Sequence, residues 1–162
     1  MCPVLGGGKE MNIRQATMRD IDTMYELINT YAEQGLMLHR SKLSLCETLT
    51  CFSVVENSDG KVIGVGGLHI LWEDLAEIRS LVIAPEYAGQ GIGKKLVQYL
   101  AERAQELGIK KVMALTYQEQ FFNHCGFRVV EKETLPHKVW RDCVNCSKFP
   151  ACDEIAVLKE VL

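Results

Sequence analysis

The chain has no apolar run approaching the roughly 18 residues that a membrane-crossing helix needs. Its opening stretch, Met1 to Glu10, lacks both the basic segment and the apolar segment of a secretory leader. A cytoplasmic protein that meets no membrane is expected. A surplus of positive charge is also missing: 18 Lys and Arg stand against 21 Asp and Glu, a net charge of −3. Bulk electrostatics therefore offers nothing to nucleic acid or to an anionic surface. No internal repeat or linker divides the chain, and 162 residues suit one domain that buries about two-thirds of its unfolded surface. An apolar share of 48% and a charged share of 24% exclude disorder. Seven cysteines are an odd number for a disulfide scaffold, and reduced thiols or metal ligands fit better.

What is present reads as alternating elements. Residues 1–10, with a glycine triplet, read as a flexible extension, and the domain proper runs over 11–162. A strand is predicted at about 12–16. Thr17, with Asp20 three residues on, is a candidate N-cap for a helix at about 18–33, in which Ile21, Met24, Leu27, Ile28 and Tyr31 recur at helical spacing and Gly35 stops the run. A short helix follows at about 41–49. Strands are predicted at Cys51 to Glu56 and Lys61 to Leu71, joined through Asp59-Gly60, a hairpin signal. Gly64, Gly66 and Gly67 mark a bulge or a close approach of other backbone. Leu75 to Ala84 is a further strand, and Leu96, Val97, Leu100, Ala101, Ala104 and Leu107 form the apolar face of a long helix ended by Gly108. Lys111 to Thr116 is a strand and Gln118 to His124 a short helix. The last strands fall at about 127–132, 137–141 and 153–161.

The chain is organised around Leu81-Val82-Ile83-Ala84-Pro85-Glu86-Tyr87-Ala88-Gly89-Gln90-Gly91-Ile92-Gly93-Lys94-Lys95. A β-branched run ends at a proline, three glycines follow within five residues, and the long helix begins. Glycines let the main chain approach an anion, and the helix N-terminus offers amides and a positive dipole to a phosphate. The same turn would also serve as a bare strand-to-helix connection. It is not a P-loop, because Lys95 stands where Ser or Thr is required, and it lacks the Gly-x-Gly-x-x-Gly of a dinucleotide site. In its context, Gly91-Ile92-Gly93 resembles motif A of the GNAT acetyltransferases. Ala88 replaces the Gln or Arg usual three residues before that pair. The element order matches the same family over nearly all of 11–162.

That resemblance implies an α/β fold with a mixed sheet of six to seven strands and about four helices on its two faces. It implies acetyl-CoA as co-substrate. Main-chain groups of Leu81, Val82 and Ile83 would hold the pantetheine arm and the acetyl oxygen, and Gly89, Gln90, Gly91, Ile92, Gly93 and Lys94 the pyrophosphate. Acetyl transfer to an amine needs a base for the ammonium, a donor to the thioester carbonyl and an acid for the thiolate. Glu77 is the candidate base, partial burial raising its pKa towards the working range; Glu73, a water chain, or a Glu77 paired with Arg79 are the rivals. The tyrosine that many GNAT enzymes place five residues before the phenylalanine of Gly-Phe is Phe122 here. Tyr117 is the replacement acid, with Gln118 through a water or solvent as alternatives.

The strand Glu77-Ile78-Arg79-Ser80-Leu81-Val82-Ile83, together with Phe121-Phe122-x-x-Cys125-Gly126-Phe127 and the segment Lys132 to Cys143, looks like the short, single-domain N-acetylglutamate synthases of bacterial arginine biosynthesis. The implied acceptor is L-glutamate. Its carboxylates need cationic and polar partners, for which Arg40, Arg79, Ser80, Arg141 and Lys148 are the candidates. Acceptors of other GNAT proteins, namely a protein N-terminus, a lysine or a polyamine, stay open, as does a coenzyme A sensor without turnover. A homodimer through sheet edges is compatible with the family. Cys143, Cys146 and Cys152, with His137 or Asp153, carry ligand types suited to a structural zinc, but one Cys-x-x-Cys lacks the second pair of a strong signature. Reduced or redox-active thiols are the alternative. Cys2, Cys46, Cys51 and Cys125 read as small core or surface thiols.

Overall fold

The structure is a computed structural model and describes residues 10–135 and 154–162. The strands are β1 (Asn12–Gln15), β2 (Phe52–Glu56), β3 (Val62–Trp72), β4 (Leu75–Ile83), β5 (Lys111–Thr116), β6 (Arg128–Val130) and β7 (Ile155–Glu160). The helices are α1 (Ile21–Glu33), α2 (Lys42–Glu47), α3 (Ile92–Glu106) and α4 (Glu119–His124). The expected order is the order found. Most of residues 1–10, the strand expected at 137–141, and Arg141, Cys143, Cys146, Lys148 and Cys152 lie outside the described residues. No helix among those described is long and apolar enough to cross a membrane.

Among the described residues seven strands form one sheet in the order β1-β2-β3-β4-β5-β7-β6, and every pair of them is antiparallel except β4 with β5. Alternation along the strands gives the sheet two apolar faces. Val55, Ile63, Leu68, Ala76, Ile78, Val112 and Val157 pack under Leu96, Val97, Leu100 and Ala104 of α3. The other face places Phe52, Val54, Val65 and Val82 against Ile21, Met24 and Ile28 of α1 and Leu45 of α2. Burying a side chain of this size contributes about 1.5–3 kcal/mol, so both helical layers are fixed by the periodicities that the sequence shows.

Several boundaries differ from expectation by one to three residues. The helix expected from residue 18 starts as a 3-10 turn over Met18–Asp20 and becomes α-helical at Ile21. The helix expected over 41–49 ends at Glu47, and a second 3-10 turn covers Leu49–Cys51. An apolar period over three residues does not distinguish the two helix types. The turn before α1 is held by Asp20, which is 4% exposed. Its Oδ2 accepts from Arg14 Nη1 at 2.8 Å and from the Thr17 N–H at 2.7 Å, and its Oδ1 accepts from Arg14 Nη2 at 3.0 Å.

The glycines of β3 serve a close approach. A Cβ on Gly66 would lie 3.0 Å from Leu81 Cδ1, 3.2 Å from Leu100 Cδ1 and 3.3 Å from Leu96 Cδ2, so α3 sits on bare backbone there. A bulge foreseen near these glycines lies on β3 itself, where Val55 pairs with Gly64 and Glu56 with Val62 so that Ile63 is extra, and another lies on the opposite strand. Val65 pairs with Val82 and Gly67 with Arg79, so Ser80 and Leu81 of β4 together face the single residue Gly66. Ser80 adopts φ 54°, in the left-handed region that costs a non-glycine residue about 1–2 kcal/mol.

Two expectations follow for stability. Gly66→Ala forces α3 and Leu81 apart and should destabilise the fold by about 1–3 kcal/mol in urea unfolding. The Arg14 guanidinium, acting against burial, holds the Asp20 carboxyl below the ordinary carboxylate range. Because the folded-state value is depressed, this stabilisation is complete above the unfolded pKa of about 3.9 and fades as pH falls through the folded value. Asp20→Asn should therefore cost about 2–3 kcal/mol at pH 7, with the gap from wild type narrowing at pH 3.

Candidate active site

The parallel pairing of β4 with β5 runs only from Leu75↔Lys111 to Glu77↔Met113. Beyond it the bulge turns β4 away; β4 stays with β3 up to Ile83 and β5 stays with β7 up to Thr116. The two strands thus part in the middle of the sheet. A cavity of about 590 Å³ opens between them, walled by β4 from Glu77 to Ile83 and by Ala114 to Gln118, and extending past the loop before α3. An edge of β4 main chain therefore borders an open slot where a neighbouring strand would otherwise lie.

At one end of the slot is the glycine loop. After a 3-10 turn over Pro85–Tyr87, Gly89 has φ 76° and Gly91, the N-cap of α3, has φ 77°. A side chain at either position would be strained, although a Cβ would meet nothing within 4 Å. The first turn of α3 holds Lys94 and no acidic residue. Cations near a helix N-terminus oppose the helix dipole. An anion resting on the amides would offset that repulsion and use the exposed lysines. Gly89, Gly91, Ile92, Gly93 and Lys94 line the cavity, whereas Gln90 is exposed and outside its wall. Phe121 packs against Gly93, where a Cβ would come within 3.2 Å of its ring, so α4 closes on the start of α3.

At the middle of the slot stands Glu77, 6% exposed and beside the last β4–β5 pair. Its Oε2 accepts from Arg79 Nε at 2.6 Å. The pairing with Arg79 weighed from the sequence is thus present. Tyr117 and Gln118 reach the cavity from the end of β5, and the Gln118 N–H donates to Thr116 Oγ1 at 2.8 Å. Glu73 is exposed in the β3–β4 hairpin and does not line the cavity. Phe122 is core, edge-on to Phe121 and Phe127. Cys125 lines the cavity, but burial pushes its thiol up. A thiol held protonated is a poor nucleophile.

The far wall comes from α1 and the segment after it. Arg40 lines the cavity; its Nε donates to Ser80 Oγ at 2.9 Å and its guanidinium lies 5.9 Å from the Phe52 ring centre. The strained Ser80 therefore serves as an anchor for Arg40. Two contributors escaped the sequence reading. Asn29, buried in α1, donates from Nδ2 to the Arg40 carbonyl at 2.9 Å and accepts the Arg40 N–H on Oδ1 at 3.0 Å. Tyr31 donates its hydroxyl to the Ile83 carbonyl at 2.8 Å, so that carbonyl, one of the main-chain groups assigned to a ligand, already has a partner. A polar residue inside an apolar helix face is the only signal that could have pointed to Asn29. Among the described residues no group of three His, Cys, Asp or Glu could hold a metal ion.

Comparison with known proteins agrees with this geometry. The pattern described as the Acetyltransferase (GNAT) family matches residues 18–127. An uncharacterized N-acetyltransferase of Chlorobaculum tepidum is 39% identical over 147 residues, covering 91% of this chain and 94% of the relative. An amino-acid acetyltransferase of Mycobacterium tuberculosis is 37% identical over 121 residues, covering 74% and 69%. Among solved structures, N-acetylglutamate synthase from Neisseria gonorrhoeae, complexed with coenzyme A and N-acetyl-glutamate, superposes with a TM-score of 0.86 at 27% identity, over 96% of this chain and 36% of that longer one. The split sheet, the glycine loop at the head of α3 and these matches together make the chain a member of the GNAT acetyltransferase family, with the seven-stranded mixed sheet and four helices of that fold.

Proposed function

We propose that the protein transfers acetyl from acetyl-CoA to the α-amine of an amino acid with an acidic side chain, L-glutamate being the acceptor best matched. The observation that carries this reading is the pair of arginines lining the cavity, Arg40 on Ser80 and Arg79 on Glu77, with Glu154 the other carboxylate of the described lining. A dicarboxylate finds two guanidiniums there, whereas a polyamine would meet repulsion. The Mycobacterium and Neisseria relatives named above support the same acceptor class.

The cavity suits the co-substrate. The amides around Gly89, Gly91 and Gly93 and the Lys94 ammonium would take the pyrophosphate. The β4 edge over Leu81 and Val82 would take the extended pantetheine arm in the manner of an added strand and place the thioester in the slot beside Glu77. Acetyl-CoA supplies the activated carbonyl.

The remaining steps belong to side chains. Glu77, directly or through a water, accepts the ammonium proton, so that the amine can attack the thioester carbonyl; a C–N bond forms and the C–S bond breaks. Tyr117, reaching the slot from the β5 end, delivers a proton to the departing thiolate, a role closed to Phe122, and regains one from the nitrogen, which sheds its second proton as the amide forms. With the Cys125 thiol kept protonated, attack occurs in one ternary complex without an acetyl-enzyme. Arg40, anchored by Ser80, holds an acceptor carboxylate.

Coenzyme A release, followed with a thiol reagent corrected for the protein's own cysteines, tests the reading across glutamate, other amino acids, polyamines and a lysine peptide. Glutamate is expected to be turned over selectively. Preference for a polyamine or the peptide would reject the acceptor, and coenzyme binding without turnover on any of them would make the protein a sensor. Glu77→Gln should lower kcat on glutamate by about 100-fold or more while calorimetry shows unchanged acetyl-CoA affinity. Arg40→Met should raise the glutamate KM by about 10-fold or more with a smaller change in kcat, the loss of one charge-assisted contact.

A further inference from the structure

The ion pair between Glu77 and Arg79 joins the proposed base to a proposed recognition group. Both side chains leave β4 on the same face, two residues apart, opposite His69 and Gly67 of β3. The pairing is close, at 2.6 Å, and both partners line the cavity. Their exposures differ: the Arg79 side chain is 17% accessible and that of Glu77 only 8%. Guanidinium and carboxylate thus belong to side chains that both border the space an acceptor would enter.

We infer that Arg79 is a latch on Glu77 that the acceptor's own carboxylate opens. This inference rests on the proposed amino-acid acceptor. In the resting site the guanidinium occupies an oxygen that the base needs. A zwitterionic acceptor brings both complementary charges. Its carboxylate takes Arg79 while its ammonium takes Glu77, so one buried ion pair is exchanged for two and no charge is left uncompensated at any point. The ammonium proton then passes to Glu77, the amine attacks, and Glu77 returns the proton to solvent after the product leaves. An amine without a carboxylate has nothing to offer Arg79, and Glu77 stays latched. Specificity is thus exerted on the chemical step as well as on binding, because recognition and the release of the base are one event.

The test compares glutamate with n-butylamine, an acceptor that has the amine and lacks both carboxylates. In Arg79→Met the kcat/KM for glutamate should fall by about 100-fold or more, whereas kcat for n-butylamine should rise about threefold or more above wild type. Arg79→Gln, which keeps a polar group in the half-buried position, should behave in the same direction. An acetyl-CoA titration establishes that each variant is folded. A second measurement needs no variant: butyrate added to wild-type enzyme with n-butylamine should supply the missing carboxylate and raise n-butylamine turnover saturably. If n-butylamine turnover is unchanged or falls in both variants, or if butyrate only inhibits, the latch is overturned while glutamate turnover by wild type still upholds the acceptor assignment. Failure of wild type to acetylate glutamate overturns the acceptor assignment and the latch with it.

Discussion

The structure depends on β4 leaving β5. Three residue pairs hold the two strands together and then the extra residue at Ser80–Leu81 turns β4 aside. Without that divergence the sheet would be continuous, with its main chain satisfied by its neighbours and no slot for an extended ligand. Most of what surrounds the slot can be understood as support for this one irregularity. Gly66 removes the side chain that would collide with the bulged strand and with α3. The Ser80 hydroxyl accepts from Arg40, and Tyr31 ties the far end of β4 to α1. A backbone conformation that costs energy by itself is retained because several elements over-determine it.

Charge is distributed along the slot in the order that the proposed transfer would require. The glycine loop and the start of α3 concentrate amides and lysines at one end, Glu77 stands at the branch point, and Arg40 and Arg79 lie along the β4 wall. A polyanionic co-substrate and a dicarboxylate acceptor would each find positive charge at their own end. The chain's net negative charge shows nothing of this, because site electrostatics depends on a few residues brought together from distant segments.

The fold was largely legible in the sequence, for reasons that can be named. Lys111–Thr116 was read to the residue because a short continuous apolar run, Val112 to Leu115, lies between a glycine-ended helix and a polar break. The head of α3 was legible because Gly91 and Gly93 have few other uses before so regular an amphipathic helix. The coenzyme loop and the Glu77 strand were recognisable because their chemistry is written in contiguous residues. The alternative of an ion pair between Glu77 and Arg79 was also visible, since residues two apart on a strand share a face. What escaped were contacts whose partners are main-chain atoms far along the chain. Asn29 bonds Arg40 across 11 positions and Tyr31 bonds Ile83 across 52. Tyr31 looked like one more member of an apolar stripe, and nothing in a serine announces φ 54°. Backbone carbonyls carry no sequence identity, so their partners cannot be found by matching residue types.

Asn29 and Tyr31 stand on the same helix, one bound to the acceptor wall at Arg40 and the other to the end of β4 at Ile83, where the coenzyme loop begins. The two residues lie within one turn of each other on a helix whose inner face is packed against the sheet, so they move together. Any displacement of β4 that accommodates one ligand is therefore conveyed to the groups that grip the other. Thermodynamic linkage makes the influence mutual: if a seated coenzyme sets Arg40 for its partner, a seated acceptor tightens the hold on the coenzyme by the same factor. Under the proposed function the two ligands would thus be coupled through α1, in addition to the contact that the transfer itself requires.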